Sequence, residues 1–111
     1  MHEGPFKVVD KKWGQEIWLS LNDKYCFKKI FIKKGHRTSL QYHNEKMETN
    51  HLISGKAKVT LQDKNGDLYT KDVEEGFVVH LMPKDIHRFE ALTDIVLLEA
   101  STIQVDDVVR L

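Results

Sequence analysis

Cysteine is almost missing from this sequence. Cys26 stands alone, which excludes an internal disulfide and makes a reducing cytoplasm the simplest home. Set among Tyr25, Phe27 and Ile30, its thiol reads as a buried, inert side chain and not as a nucleophile. Long apolar runs are missing too, so no stretch reads as a membrane span. Residues 1–10 (MHEGPFKVVD) lack the apolar centre of a secretory signal. Neither sign of charge is in excess. Seventeen Lys and Arg balance seventeen Asp and Glu, which argues against a nucleic-acid footprint and against an acidic solvating tail. Helical periodicity is nearly absent, because few windows repeat apolar residues at intervals of three and four. No internal repeat or low-complexity segment is visible.

What is present is a soluble globular composition, 41% hydrophobic and 31% charged. At 111 residues the chain is long enough for one core and too short for two ordinary domains. Short β-type runs alternate with turn signals. Residues 6–9 and 16–21 predict the first strands. Residues 25–32 (YCFKKIFI) predict a strand apolar on both faces, with Phe27 and Phe31 opposite Ile30 and Ile32. Residues 40–43 and 49–53 follow. Residues 56–62 (KAKVTLQ) place Ala57, Val59 and Leu61 on one face. Asn65-Gly66 signals a hairpin that returns through residues 68–73. Residues 77–81, 86–92 and 95–100 complete the set, and residues 105–111 fit either a terminal helical turn or a last edge strand. About nine or ten short strands, with turns every eight to twelve residues, predict an all-β sandwich or barrel.

The chemistry concentrates between Gly35 and Gly55. Gln41 and His43 are two residues apart, so on a strand both face one side. The polar run Asn44, Glu45, Lys46 suits a turn, and Glu48 on a returning strand would face the first two. His87 offers an imidazole much later in the chain. Imidazoles, a carboxylate and an amide oxygen suit one divalent ion better than a soft thiolate metal. Spacing alone leaves a solvated surface open as the other reading, because a chain with six histidines offers such pairs by chance. His36, His51 and His80 read as surface or interface histidines, with alternation from Glu48 turning His51 outward.

These positions resemble the first cupin motif, G(X)5HXH(X)3-4E(X)6G. Gly35, five residues, Gln41-x-His43, four residues, Glu48, six residues and Gly55 follow it, with only the first histidine changed, to Gln41. The second motif, G(X)5PXG(X)2H(X)3N, is looser. Gly76 and His87 keep their separation, Pro83 falls one place late, Lys84 takes the glycine position and Ala91 that of the asparagine. Ser39-Leu40-Gln41-Tyr42-His43 is similar to the type II-like mannose-6-phosphate isomerase branch of the cupins. So are Trp13-Gly14 with Glu16 near the start and residues 99–111 (EASTIQVDDVVRL) at the end.

The resemblance implies a stand-alone, single-domain jelly-roll cupin over residues 1–111, with a leading segment 1–15 and an exit tail 100–111. It implies that Gln41, His43, Glu48 and His87 bind one divalent metal ion, from among Zn, Mn, Fe, Ni and Co. Glutamine in place of histidine favours a hard Lewis acid holding sugar hydroxyls over redox iron. The implied activity is aldose–ketose interconversion of a sugar phosphate of mannose-6-phosphate type. It needs an oxyanion stabiliser and a general base, for which Glu45 and Arg110 are the available candidates. Arg37, Lys28 and Arg110 are candidates to hold the phosphate, Arg110 because it matches the family's Asp-Asp-x-x-Arg ending. Lys29 and Arg88 stand behind them. Where the family carries His-His-His and Glu-His-Trp, this chain has His43-Asn44-Glu45 and Glu48-Thr49-Asn50, which questions the substrate more than the metal. In bacteria this cupin is commonly fused behind a sugar-nucleotide transferase. The rivals are another sugar isomerase or epimerase, an iron dioxygenase, and a non-catalytic sugar- or metal-binding module. A homodimer is expected, since small cupins pair and the 25–32 strand is hard to cover in a monomer. Nucleic acid and membrane are not expected partners.

Overall fold

A computed structural model describes all 111 residues and contains eleven strands and no helix. In chain order these are β1 (Lys7–Lys11), β2 (Gly14–Leu21), β3 (Cys26–Ile32), β4 (Gln41–Tyr42), β5 (Glu48–Ser54) and β6 (Lys56–Gln62). They continue with β7 (Leu68–Glu74), β8 (Val78–Leu81), β9 (Arg88–Ala91), β10 (Ile95–Ser101) and β11 (Val109–Arg110). One antiparallel sheet runs β1-β2-β3-β10-β5-β8, and β7-β6-β9 forms a second. The ribbon β4-β11 joins that second layer through isolated bridges, Arg37 to Glu90 and Gln41 to His87. Two facing antiparallel layers of this kind make the jelly roll expected of an all-β cupin.

The alternating pattern of each strand decides which side chains meet between the layers. On β3 the inward face is Cys26, Lys28, Ile30 and Ile32, all buried, while Phe27 and Phe31 are half-buried on the other face. On β6 the inward face is Ala57 and Val59, with Leu61 packed at its edge. Ten side chains form the core, among them Ile32, Leu52, Val59, Ile95 and Leu97, each at most 1% exposed. Cys26 is fully buried and unpaired, and burial pushes its thiol pKa up.

Three backbone positions shape the turns. A side chain at Gly55 would put its Cβ 2.2 Å from the Asp94 carbonyl oxygen, and one at Gly14 would meet the Phe31 carbonyl oxygen at 1.9 Å. Both turns close only on glycine. Lys84, at the place where the cupin motif carries glycine, is the one non-glycine residue with a positive φ, 75°. Its amide donates to the His43 carbonyl at 2.7 Å, and its ammonium also bonds Asn44, so the strained residue is tied to the ligand loop.

Several strand expectations shift. The run 86–92 contracts to Arg88–Ala91, because His87 meets its neighbour Gln41 only through an isolated bridge. The run 40–43 contracts to Gln41–Tyr42, and the first strand begins one residue later than expected and ends two later, at Lys11. Residues 105–111 hold the edge strand alternative, not a helical turn: Val109 and Arg110 pair with Tyr42 and Gln41. That pairing raises the count beyond nine or ten.

Candidate metal centre

Glu48 opens β5 and points inward with Asn50 and Leu52, so its carboxylate rises from the six-stranded sheet. His43 and His87 come from the opposite layer, just after β4 and just before β9. Gln41 and His87 exchange backbone hydrogen bonds of 3.1 and 2.9 Å, which sets the second histidine beside the first ligand strand. The expected return of Glu48 does face His43, but across the barrel rather than along a hairpin: β5 pairs with β10 and β8 and not with β4. His43 Nε2 lies 3.0 Å and His87 Nε2 3.3 Å from Glu48 Oε1. The ligand atoms of all three lie within 4.8 Å of one another, and all three residues are buried.

The hydrogen bonds behind the histidines decide what this trio can hold. His43 Nδ1 bonds the Asp107 carbonyl and His87 Nδ1 bonds the Asp85 carbonyl at 2.9 Å. A carbonyl can only accept, so each Nδ1 carries a proton and each ring presents its Nε2 to Glu48. Two nitrogens then converge on one carboxylate oxygen at 3.0 and 3.3 Å, and what joins them is a proton on Nε2 in the metal-free state or a metal ion in its place. Two imidazole nitrogens and a carboxylate are the donor set of an open divalent-metal site, and the backbone carbonyls orient the rings as outer-shell partners do. The residues fit a divalent ion. Gln41 lines the same cavity, and its amide oxygen accepts a 2.7 Å bond from the Ser39 hydroxyl, which fixes the direction of the amide. Of the four expected ligands, His43, Glu48 and His87 converge, and Gln41 stands on the same cavity wall.

Charge around the trio is ordered by buried pairs. Lys46 Nζ is 3.3 Å from Glu99 Oε2 and 3.9 Å from Glu48 Oε2. Lys28 Nζ is 3.5 Å from Glu16 and lies 4.0 Å from the centre of the Trp18 ring. Burial alone would raise Glu48, but bonds from Glu99, His43 and His87 and the charge of Lys46 hold its carboxyl well below the usual range. Burial, then the negative charge of Glu48, pushes Glu99 up to about 8. Burial would lower Lys46, yet the facing carboxylates of Glu99 and Glu48 raise it. Asp107 accepts backbone N–H bonds from Asn44, Glu45 and Lys46 at 3.0, 2.7 and 3.0 Å. Those bonds hold its carboxyl down at about 2.

Among the other expected site residues, Lys28 and Arg110 line the cavity. Arg37 is exposed, bridges Glu90 on β9, and is not part of the cavity lining. Glu45 is also exposed and outside the lining, its amide held by Asp107. Sequence reasoning passed over Lys46, Glu99 and Asp107. Parity was the available signal for the first two: Lys46 stands two before Glu48, and Glu99 interrupts the apolar alternation of Ile95 and Leu97. Asp107 carried only its place in the Asp-Asp-x-x-Arg ending and no local signal, because its partners lie more than sixty residues away.

The cavity measures about 640 Å³, within the usual range for a small-molecule site, and both layers and the exit tail wall it. The sequence profile of the family described as Mannose-6-phosphate isomerase C-terminal matches residues 2–111. Mannose-1-phosphate guanylyltransferase 2 of Escherichia coli O157:H7 is 39% identical over 58 residues, covering 52% of this chain and 12% of the relative. Mannose-1-phosphate guanylyltransferase of Escherichia coli strain K12 is 29% identical over 75 residues, 68% of this chain and 15% of that protein. The chain thus spans less than a sixth of the curated relatives it matches. In fold it resembles the capsular polysaccharide assembling protein CapF of Staphylococcus aureus, with TM-score 0.80 and 19% identity over 98% of this chain and 35% of that one. It also resembles oxalate decarboxylase of Bacillus subtilis, with TM-score 0.78 and 19% identity over 100% of this chain and 33% of the other. With the barrel, the His43–Glu48–His87 trio and a profile match over almost its whole length, this chain belongs to the cupin family of mannose-6-phosphate isomerase C-terminal domains.

Proposed function

We propose that this chain binds one divalent metal ion through His43, Glu48 and His87, with the Gln41 amide oxygen as a fourth donor. It uses that site to interconvert the aldose and ketose forms of a sugar phosphate of mannose-6-phosphate type. The observation that carries the metal is the pair of imidazoles whose Nδ1 protons are committed to carbonyls while both Nε2 atoms face one carboxylate. A bound divalent ion supplies the Lewis acid that polarises a sugar carbonyl or hydroxyl.

The chain's own residues supply the rest. Lys46 Nζ and the Glu99 carboxyl, 3.3 Å apart beside the ligand set, are groups able to hold and pass a proton at the reacting carbons. Asn50, buried on the same face as Glu48, offers a neutral hydrogen-bonding amide to sugar hydroxyls. Phe89 and Leu97 wall the cavity with apolar surface and limit water there. A second copy of the chain is the proposed macromolecular partner, seated on the outer face of the large sheet, where Phe27 and Phe31 are only half-buried. No helix is long and apolar enough to cross a membrane.

Elemental analysis of the purified protein tests the metal: about one equivalent of a divalent ion is expected, and none in His87→Ala. Exchange between mannose 6-phosphate and fructose 6-phosphate, across a panel of metals, tests the reaction. Metal and sugar phosphate bound without turnover would sink the isomerase and leave a binding module; oxygen uptake with Fe²⁺ would put an oxygenase in its place.

A further inference from the structure

Five basic side chains line the cavity, and they fall into two sets. Lys28 and Lys46 are buried, and each has a carboxylate partner within 3.5 Å, Glu16 and Glu99. Lys11, Lys12 and Arg110 are exposed at the rim, and no carboxylate lies within 4.0 Å of their charged nitrogens. The nearby carboxylate of Asp10 accepts a 3.1 Å bond from Gln15 instead. Among the exposed lining residues only Asp106 is acidic, so three cations and one carboxylate leave the rim with two positive charges. A phosphate monoester carries about that charge with the opposite sign near neutral pH.

The two lysines are presented by a fixed turn. Lys11 pairs with Gly14 at the close of the β1–β2 hairpin. The Trp13 carbonyl accepts the Lys33 amide at 2.9 Å, and the Trp13 ring packs against the core. Gly14 lets the turn approach the Phe31 carbonyl so closely that no side chain fits. That close approach and the packing of Trp13 fix the turn that sets Lys11 and Lys12 on the cavity wall, while the metal ligands lie buried in the same cavity.

We propose that Lys11 and Lys12, with Arg110 of the exit tail on the same cavity, form the phosphoryl subsite, so that the substrate enters with its reacting end toward His43, Glu48 and His87 and its phosphate at the rim. The assignment deepens the sugar-phosphate reading and rests on it. It moves the phosphate away from Lys28, whose charge is already matched by Glu16, and away from Arg37, which stands outside the cavity.

The test uses the full-length, metal-loaded protein, with inorganic phosphate, mannose 6-phosphate and mannose as probes in titration calorimetry. K11Q/K12Q is expected to bind inorganic phosphate and mannose 6-phosphate about tenfold or more weaker, with a shallower salt dependence. Its affinity for metal and for mannose stays at the wild-type value, as does all binding by the remote control K64Q. Phosphate affinity unchanged in K11Q/K12Q overturns the subsite even if the isomerase works. So does a wild-type protein that binds neither phosphate nor mannose 6-phosphate. Lysine-dependent binding of phosphate by a protein that turns over no sugar phosphate supports the subsite and removes the isomerase instead.

Discussion

The two halves of the barrel are built on the same strands and do opposite work. At one end β3 contributes Ile30 and Ile32, β5 Leu52, and β10 Ile95 and Leu97 to the apolar core, with Ile30 and Leu97 at its border on the cavity. A few residues along, the same inward faces carry Lys28 on β3, Glu48 and Asn50 on β5, and Glu99 on β10, all buried. The change comes within one alternation step: Leu97 and Glu99 are adjacent on one face of one strand. Burying ions is costly, and the polar half meets the cost by pairing, Lys28 with Glu16 and Lys46 with Glu99 and Glu48. The apolar half needs no partners and supplies the burial energy that holds the other half's charges in place. The lesson is that a cavity of this kind is a continuation of the core in which the side chains change and the backbone does not.

Substitution on the apolar side should show the largest effect. Ile95→Ala removes a fully buried side chain outside the cavity lining and should cost about 2–5 kcal/mol of stability, read from urea denaturation. Metal affinity of the folded fraction should stay within about twofold, since none of the ligand trio sits on β10. A large loss of metal affinity without loss of stability would mean the halves are not separable.

The next largest effect belongs to Asp107, which holds the polar half together from the exit tail. Its carboxylate binds three consecutive amides of the ligand loop, and its carbonyl orients His43. Asp107→Asn replaces one acceptor oxygen by a donor and should weaken metal binding by about 10–100-fold, measured by chelator competition on the apo protein. The core, and with it the urea midpoint at neutral pH, should move far less than in Ile95→Ala.

A smaller effect is in the pH dependence of the metal-free protein. Glu99 titrates higher in the fold, about 8, than its ordinary 4.5, so the folded chain holds the extra proton and stability falls as pH rises between those values. Glu48 and Asp107 are depressed, so their contribution is present above about pH 4 and is lost as pH falls toward 2. Thermal melts should therefore peak in mildly acidic buffer. Glu99→Gln, an uncharged isostere, should flatten the fall on the alkaline side and leave the acid side alone; an undiminished alkaline fall would remove Glu99 as its source.

How legible each half was follows from how local its signals are. The strand Lys56–Gln62 was read with its final bounds, because alternation and the Asn65-Gly66 turn are both short-range. The hairpin turn is held by the Asp63 carboxylate, which accepts the amides of Asn65 and Asp67. The trio of His43, Glu48 and His87 was legible only through the spacing of a family motif, since nothing local says that β5 will face β4 across a barrel. Lys46 reads locally as part of a polar turn although it shares the parity of Glu48, and the buried position it occupies depends on Glu99, fifty-three residues away. Asp107 lay wholly beyond local rules.

The smallest expected effect tests that boundary from the outside. Arg37 and Glu45 flank the ligands in sequence, and both are exposed and absent from the cavity lining. Arg37 meets the rest of the fold through its backbone bridge to Glu90, and Glu45 through its amide bond to Asp107, neither of which needs the side chain's charge. Arg37→Ala and Glu45→Gln should each change stability by less than about 0.5 kcal/mol. Metal affinity and sugar-phosphate affinity should stay within about twofold, because exposed charges outside the cavity are screened over roughly a Debye length of 8–10 Å. If Arg37→Ala weakened mannose 6-phosphate as much as K11Q/K12Q, the substrate would have to reach past the rim to the Arg37–Glu90 bridge, and nearness in sequence would have predicted the phosphate contact better than the cavity does.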